Sequence, residues 1–347
     1  MLIALAGCGR ADEAKPPVSH ADTLSIAERR AAGGRIVFVS ERGGMPQVYV
    51  VAPAGEGERR LSGRTGAIYP AAVSPDGRTV AAVAVREEGG EHGEQLMLLP
   101  TGGGAARPLG PASARARSPS WAPDGRWLVF ESDRESFRDV YRIAADGSGL
   151  RRLTRNAEGN FDPDVSPDGR SIAFASSRDG DAEVYVMSAD GSRQRRLTAF
   201  HRDDWGPRWS PDGRTIAFLS NREGTDRIFL VSADGTGLRR LSTSAAGDSA
   251  QEADIAWSPD GARIAHTLHV RAGESRIRIV DVRTGGAIEV RGPAAASQPA
   301  WSPDGRLIVF TAGAGDAADL WIARADGSGA TRLTHFPRAD WLPRWVR

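Results

Sequence analysis

The stretch "RWSPDGRTIAFLSNREG", Arg208 to Gly224, decides the fold. Its Ser-Pro-Asp-Gly core has two readings. One is a carboxylate set out for catalysis or metal binding, the other is a turn. Proline fixes φ at the second position of a type I turn, and aspartate bonds its own nearby backbone. Glycine takes the positive φ that leads into the next strand. Turn chemistry therefore accounts for every residue type in the unit.

The unit recurs, with Ser or Ala in first place, so that its aspartate falls at Asp76, Asp124, Asp168, Asp212, Asp260 and Asp304, 44 or 48 residues apart. After each copy comes a short apolar strand such as "SIAFAS" or "LIVFTA". A polar turn, a further strand such as "EVYVMSA", an Asp-Gly turn and a strand ending in "RRLT" follow. One more short strand, ending in Trp or Val, precedes each unit. Four short strands per repeat, each bounded by turn signals, define a propeller blade. The six turns join equivalent strands, so they lie around one face of a ring and do not converge. Carboxylates that share a metal or a proton must be close together.

The expected fold is all-β, a seven-bladed propeller of four-stranded antiparallel blades over 35–347. Second-strand anchors run Ile36, Val80, Leu128, Ile172, Ile216, Ile264 and Ile308. First-strand anchors run Val73, Trp121, Val165, Trp209, Trp257, Trp301 and Trp345, each of the first six lying seven residues before a second-strand anchor. "RIVFVS" at 35–40 lacks a first strand, and "DWLPRWVR" at 340–347 lacks a second. Pairing the two closes the ring and leaves no open sheet edge. The Trp column is expected to pack between blades.

"WSPDGRxIAF", then "SxR", then "ADGSGxRRLT" resemble the WD40-like (PD40) repeat of the TolB family, most clearly over 121–154, 165–198, 209–242 and 301–334. The resemblance covers nearly all of 35–347. It implies a propeller and, from the family, receipt of partner peptides at the propeller's mouth. The same repeat occurs in the propellers of prolyl-oligopeptidase-like enzymes and in oligogalacturonate lyases, so it names a fold more firmly than a function. TolB itself pairs a six-bladed propeller with a separate α/β domain. Seven blades behind a short leader resemble instead a TolB-like lipoprotein.

Composition fits an ordinary globular chain: 347 residues, 40% hydrophobic and 26% charged. A net charge of +1 offers nothing to draw nucleic acid. The single cysteine, Cys8, excludes an intrachain disulfide. The residues "LAGC" ending at Cys8 resemble the lipoprotein cleavage box, in which the cysteine is lipidated. The apolar stretch ahead of it lacks the basic start of a full secretory signal. The expected organisation is a signal remnant over 1–8 with lipidation at Cys8, and a flexible tether over 9–34 with a short helix near 24–31. The location that follows is the periplasm or cell surface, held to the membrane through the lipid alone, at the outer membrane in a Gram-negative cell.

Blade-to-blade loops lead to the mouth of the central channel, and they share a face with the loops between second and third strands. Two insertions fall there, at 86–94 and 242–254. Such insertions mark either a binding surface or simple surface tolerance. Four residues before the anchors stand Tyr69, Phe161, Trp205 and Trp341. Near-copies "FHRDDWGPRW" and "FPRADWLPRW" add Asp204, Asp340, Arg208 and Arg344, with His201 in the first. Aromatic and Arg side chains are frequent interface anchors, and aromatics equally plug gaps between blades. These nine residues are the candidate partner-binding set.

Catalytic patterns are sparse. The chain contains neither Gly-x-Ser-x-Gly nor His-Glu-x-x-His. "DPDVSPDG" at 162–169 is dense in carboxylates but holds a first strand and a proline-fixed turn. No cofactor, metal site or catalytic residue is expected. The preferred function is a monomeric scaffold of the cell envelope that grips a protein or peptide at the channel mouth. The alternative is a metal-dependent carbohydrate lyase or hydrolase in the same funnel, with His201, His269 and His335 near the channel.

Overall fold

The computed structural model describes residues 23–63, 66–88, 91–111, 115–241 and 249–346. Seven four-stranded antiparallel sheets form seven blades. Blades 2 to 7 are each built from consecutive strands, and their innermost strands are Ala67–Val73, Ala116–Trp121, Asn160–Val165, Asp204–Trp209, Gln251–Trp257 and Ala296–Trp301. Blade 1 joins Asp340–Val346, as its innermost strand, to Arg35–Ser40. Ile36 pairs with Trp345 and Ser40 with Asp340, so the orphan strands at the two ends of the sequence complete one blade. The outermost strands are short, only Arg195–Arg196 in blade 4.

The core lies between blades. Phe38, Phe130, Phe174, Phe218 and Phe310, all at the same second-strand position, are fully buried. The anchor tryptophans stitch neighbours together as well as filling space. The indole N–H of Trp209 donates to the Asp164 carbonyl at 3.2 Å, that of Trp257 to Arg208 at 3.1 Å, and that of Trp301 to Ala256 at 3.0 Å. Each bond crosses to the preceding blade, so a buried indole keeps its donor satisfied while its ring packs.

The Ser-Pro-Asp-Gly turns are built as their residue types require. Ser210 donates to the Asp212 carboxylate at 2.6 Å, and the Arg214 N–H donates to the same oxygen at 3.1 Å. Gly169 has φ +69°, and a Cβ there would meet the Pro123 ring at 3.2 Å. The six turns thus touch in series around one face, glycine of one against proline of the last. Each of these aspartates is occupied by its own turn.

Closure has a second component. Ser25 and Glu28 form a capping box on the helix Ile26–Ala31. Leu24 ahead of it is buried against Leu307, Ile322 and Trp345. Glu28 pairs with Arg324 at 2.8 Å. The two Ser25 bonds and Arg324 hold the Glu28 carboxyl down at about 2. Trp345, unlike the other anchors, donates its indole N–H to Gly33 at 3.0 Å. Gly34 sits at φ +71°, and a Cβ would lie 2.1 Å from the Val346 carbonyl oxygen, so no other residue fits there. From Thr23 on, the segment expected as a tether is packed against blades 1 and 7. Cys8 and the rest of that segment lie outside the described residues.

Candidate functional site: the central channel and its mouth

All seven inner strands surround a channel of about 1020 Å³. Its walls come from the last few residues of each inner strand and the prolines of the turns below them. Every inner strand slips register once against its neighbour in the blade. The slip is a bulge centred three residues before the anchor. Six of the seven residues there have left-handed φ: Ser118, Asp162, Gly206, Asp254, Gln298 and Leu342, at 48° to 61°. A one-residue slip exchanges the faces of everything beyond it. Without it, the residue four before the anchor would point between blades and the one five before would face outward. The bulge reverses them.

The reversal sorts the candidate residues. Asp204 and Asp340, five before their anchors, have no exposed surface. Asp204 pairs with Arg222 at 2.7 Å, and Asp340 with Arg42 at 3.3 Å. Burial pushes the Asp340 carboxyl above its usual range, against the pull of Ser40 and Arg42. Both carboxylates anchor arginines that lie over aromatic rings: Arg222 over Phe229 at 4.5 Å, and Arg42 over Tyr49 at 4.4 Å. Tyr69, Phe161, Trp205 and Trp341 are half-buried. Trp341 packs on Tyr69, centroids 5.7 Å apart, across the junction of blades 1 and 2. Phe161 lies under Arg138 at 5.3 Å. Trp205 lines the channel. His201 is exposed beside it. Arg208 and Arg344 line the channel from blades 5 and 1, at the same depth, one residue before their anchors.

Several exposed or channel-lining positions carry no mark in the sequence. Met45, Phe137, Phe200 and Phe336 are 42–50% exposed. Met45, Phe200 and Phe336 sit in second-to-third-strand or blade-to-blade loops and Phe137 opens the third strand of blade 3, all at the face bearing the channel mouth. Phe200 and Phe336 begin the two near-copies, and each takes its blade's arginine over its ring, Arg222 at 5.0 Å and Arg42 at 3.9 Å. Asp162, Asp164, Asp254 and Gln298 line the channel. They are tied down within the ring. Asp164 accepts from Ser120 Oγ at 3.0 Å and from the Trp209 N–H at 2.8 Å. Asp254 accepts from Thr267 Oγ1 at 2.6 Å and from the Gln298 N–H at 3.2 Å. Burial raises the Asp164 carboxyl above its usual range, opposed first by Arg208. Among the described residues no three His, Cys, Asp or Glu side chains come together as a metal site.

These features define a rigid seven-bladed propeller with a polar channel and an aromatic rim. Within that class, the chain belongs to the TolB beta propeller domain family, whose profile matches residues 63–176 and 156–255, more than half its length. It is 32% identical over 120 residues to an uncharacterized protein of Agrobacterium fabrum, covering 35% of this chain and 39% of that one. It is 37% identical over 90 residues to the Tol-Pal system protein TolB of Anaeromyxobacter dehalogenans, covering 26% and 20%. The chain therefore spans less than two fifths of the length of either relative. Among solved structures it is similar to TolB from Acinetobacter baumannii, with a TM-score of 0.58 and 19% identity over 97% of this chain and 89% of that one. It is also similar to an oligogalacturonate lyase in complex with manganese, with a TM-score of 0.63 and 16% identity over 87% and 86%. These likenesses speak for the fold.

Proposed function

We propose that the protein is a scaffold of the cell envelope that binds a protein or peptide on the face bearing the channel mouth. The observation that carries this is the rim: Met45, Phe137, Phe200 and Phe336 stand exposed at four places around the mouth face, and Trp205 lines the channel wall. Large apolar side chains gathered on one face of a rigid ring are what an interface core requires. The relationship to Tol-Pal system TolB supports an envelope setting. In this reading Cys8 is lipidated and holds a monomer at the membrane, in the periplasm or at the cell surface. The rim partner is a protein or peptide, not nucleic acid. Trp205 and His201 contact it directly. Tyr69, Phe161 and Trp341 shape the rim, and Asp204 and Asp340 support it from beneath.

The test is capture from envelope extract on immobilised protein, repeated with Trp205→Ala. A partner retained by the natural protein and lost at least tenfold by the variant, with a melting temperature lowered by no more than about 4 °C, supports the rim. Equal capture by both removes Trp205 from the interface. Metal analysis of the purified protein tests the carbohydrate-lyase alternative.

A further inference from the structure

Several arginines inside this molecule find carboxylates. Arg42, Arg152 and Arg222, all largely buried, pair with Asp340, Asp139 and Asp204. Arg196 and Arg332 reach the buried Glu183 and Asp319. Arg208 and Arg344 do not, and unlike Arg134 and Arg178, which lie over Phe130 and Phe174, they line the channel. Each makes one hydrogen bond, from Nη1 to the carbonyl of the proline just before it, at 2.8 Å for Arg208 and 3.0 Å for Arg344. No carboxylate of the described residues lies within ion-pair distance of either. A guanidinium carries five N–H donors, so most of theirs are unmatched by protein.

The surroundings explain why this is not a failed ion pair. Asp164 and Asp254 stand close enough to be felt, Asp164 by Arg208 and Asp254 by Arg344. Yet both are held in bonds by Ser120, Trp209, Thr267 and Gln298, all but Thr267 reaching from a neighbouring blade. The two guanidiniums also repel each other across the channel, and enclosure pushes Arg344 below the usual arginine range. Two half-buried like charges with spare donors stand at one depth in one cavity. A bound anion would relieve their repulsion.

We propose that Arg208 and Arg344 form a carboxylate-binding site in the channel, which receives an acidic side chain or the terminal carboxylate of the peptide bound at the rim. This rests on the rim reading for its source, and deepens it by naming the chemistry of the inserted group. Planar, forked donors suit a carboxylate, which can accept two N–H bonds from one guanidinium. The other blades present Ala72, Ser120, Asp164, Ala256 and Ala300 at the equivalent position, so only blades 1 and 5 supply a cation there.

The experiment uses the whole protein and four probes: citrate, acetyl-Ala-Ala-Ala with a free carboxylate, acetyl-Ala-Ala-Glu amide, and acetyl-Ala-Ala-Ala amide as the neutral control. Binding is followed by tryptophan fluorescence at fixed ionic strength, for the natural protein, Arg208→Gln and Arg344→Gln. The expected result is saturable binding of the carboxylate probes, none of the neutral amide, and at least a tenfold loss in either variant. The free tripeptide acting alone assigns the site to a chain terminus, and the Glu amide acting alone assigns it to a side chain. Binding of citrate alone overturns the peptide source. Equal binding by the variants, or none by the natural protein, overturns the site. Without ligand, Arg344→Gln should melt no lower than the natural protein, and a fall of more than about 5 °C would make Arg344 structural and overturn the proposal. A captured rim partner that binds Arg344→Gln undiminished would remove this site and leave the rim reading standing.

Discussion

Blades 1 and 5 carry inner strands that differ at one residue in six: Asp-Trp-Leu-Pro-Arg-Trp at 340–345 and Asp-Trp-Gly-Pro-Arg-Trp at 204–209. Their backbones agree. Leu342 and Gly206 have φ 53° and 61°, and both strands carry the same bulge. The surroundings do not agree. Trp341 meets Tyr69 of the next blade, whereas Trp205 faces the channel. Trp345 donates to Gly33 of the N-terminal segment, whereas Trp209 donates to blade 4. Arg42 keeps a second acid, Glu58, beside Asp340, whereas Asp204 is the only ion-pair partner Arg222 has among the described residues. One six-residue phrase fixes the same backbone twice, and the neighbours then decide whether its aromatic packs or is presented. Every prediction below tests that division.

The largest effect should come from removing residues 339–347. Blade 1 then loses the strand that closes the ring, and the inner edge of Arg35–Ser40 and the core beneath Val346 open to water. Loss of the aromatic and aliphatic packing alone costs about 3–5 kcal/mol. The expected outcome on a thermal melt is loss of the cooperative transition, or a fall in its midpoint of more than 10 °C, on the order of 2 °C or more per kcal/mol. An unchanged melt would mean that the ring does not depend on this pairing.

Next come the buried acids. Asp204→Ala leaves Arg222 enclosed without a counter-charge and should cost about 3–5 kcal/mol. Asp340→Ala should cost less, about 1–3 kcal/mol, since Glu58 still reaches Arg42. Denaturant titration of the two variants would measure both. Equal costs would show that Glu58 contributes nothing.

The tryptophans should separate in opposite directions. Trp341→Ala loses a ring pair as well as area and should destabilise by about 2 kcal/mol. Trp205→Ala, half-buried at the channel wall, should cost about 1 kcal/mol or less while weakening partner binding. A larger stability loss for Trp205 than for Trp341 would reverse the assignment.

The smallest expected effect uses blade 6 as a third case. Where blades 1 and 5 bury Phe38 and Phe218, blade 6 buries His266, whose Nε2 has no hydrogen-bond partner among the described residues. Burial holds its pKa below the usual value, with Glu252, Asp254 and Arg278 as nearby charges. The native ring stays neutral while the unfolded one protonates. Its contribution is therefore intact above about pH 6.5 and declines as pH falls below it, by at most about 1.4 kcal/mol per pH unit. Melts at pH 7.5 and 5.5 should differ less in His266→Phe than in the natural protein. The same pH difference in both would mean that the histidine finds a partner on opening.

The ring itself was legible because its signals are local. Proline and glycine at fixed offsets, strand alternation and a Trp or Val every 44 or 48 residues need no knowledge of neighbours. Closure was legible for the same reason, since Trp345 continues the spacing past the last full repeat. The site was less so. Asp204 and Asp340 look like presented carboxylates in the sequence, and the bulge turns them inward. Five different residue types occupy the left-handed position, Leu342 and Gln298 among them, so composition gives no mark of it. The channel pair of Arg208 and Arg344 was visible as two arginines, but not as two without acids, because that depends on which bonds Asp164 and Asp254 have already made.

Pairing Ser40 with Asp340 also sets a schedule. About 300 residues must be synthesised between the two partners, which at roughly 5–20 residues per second takes about 15–60 s. Throughout that interval Arg35–Ser40 exposes an unmatched edge able to recruit the wrong strand. A ring joined this way gains its protection late and all at once. Its yield in a cell should then depend on how well that early edge is shielded, by a chaperone or by slow export, more than on the stability of the finished propeller.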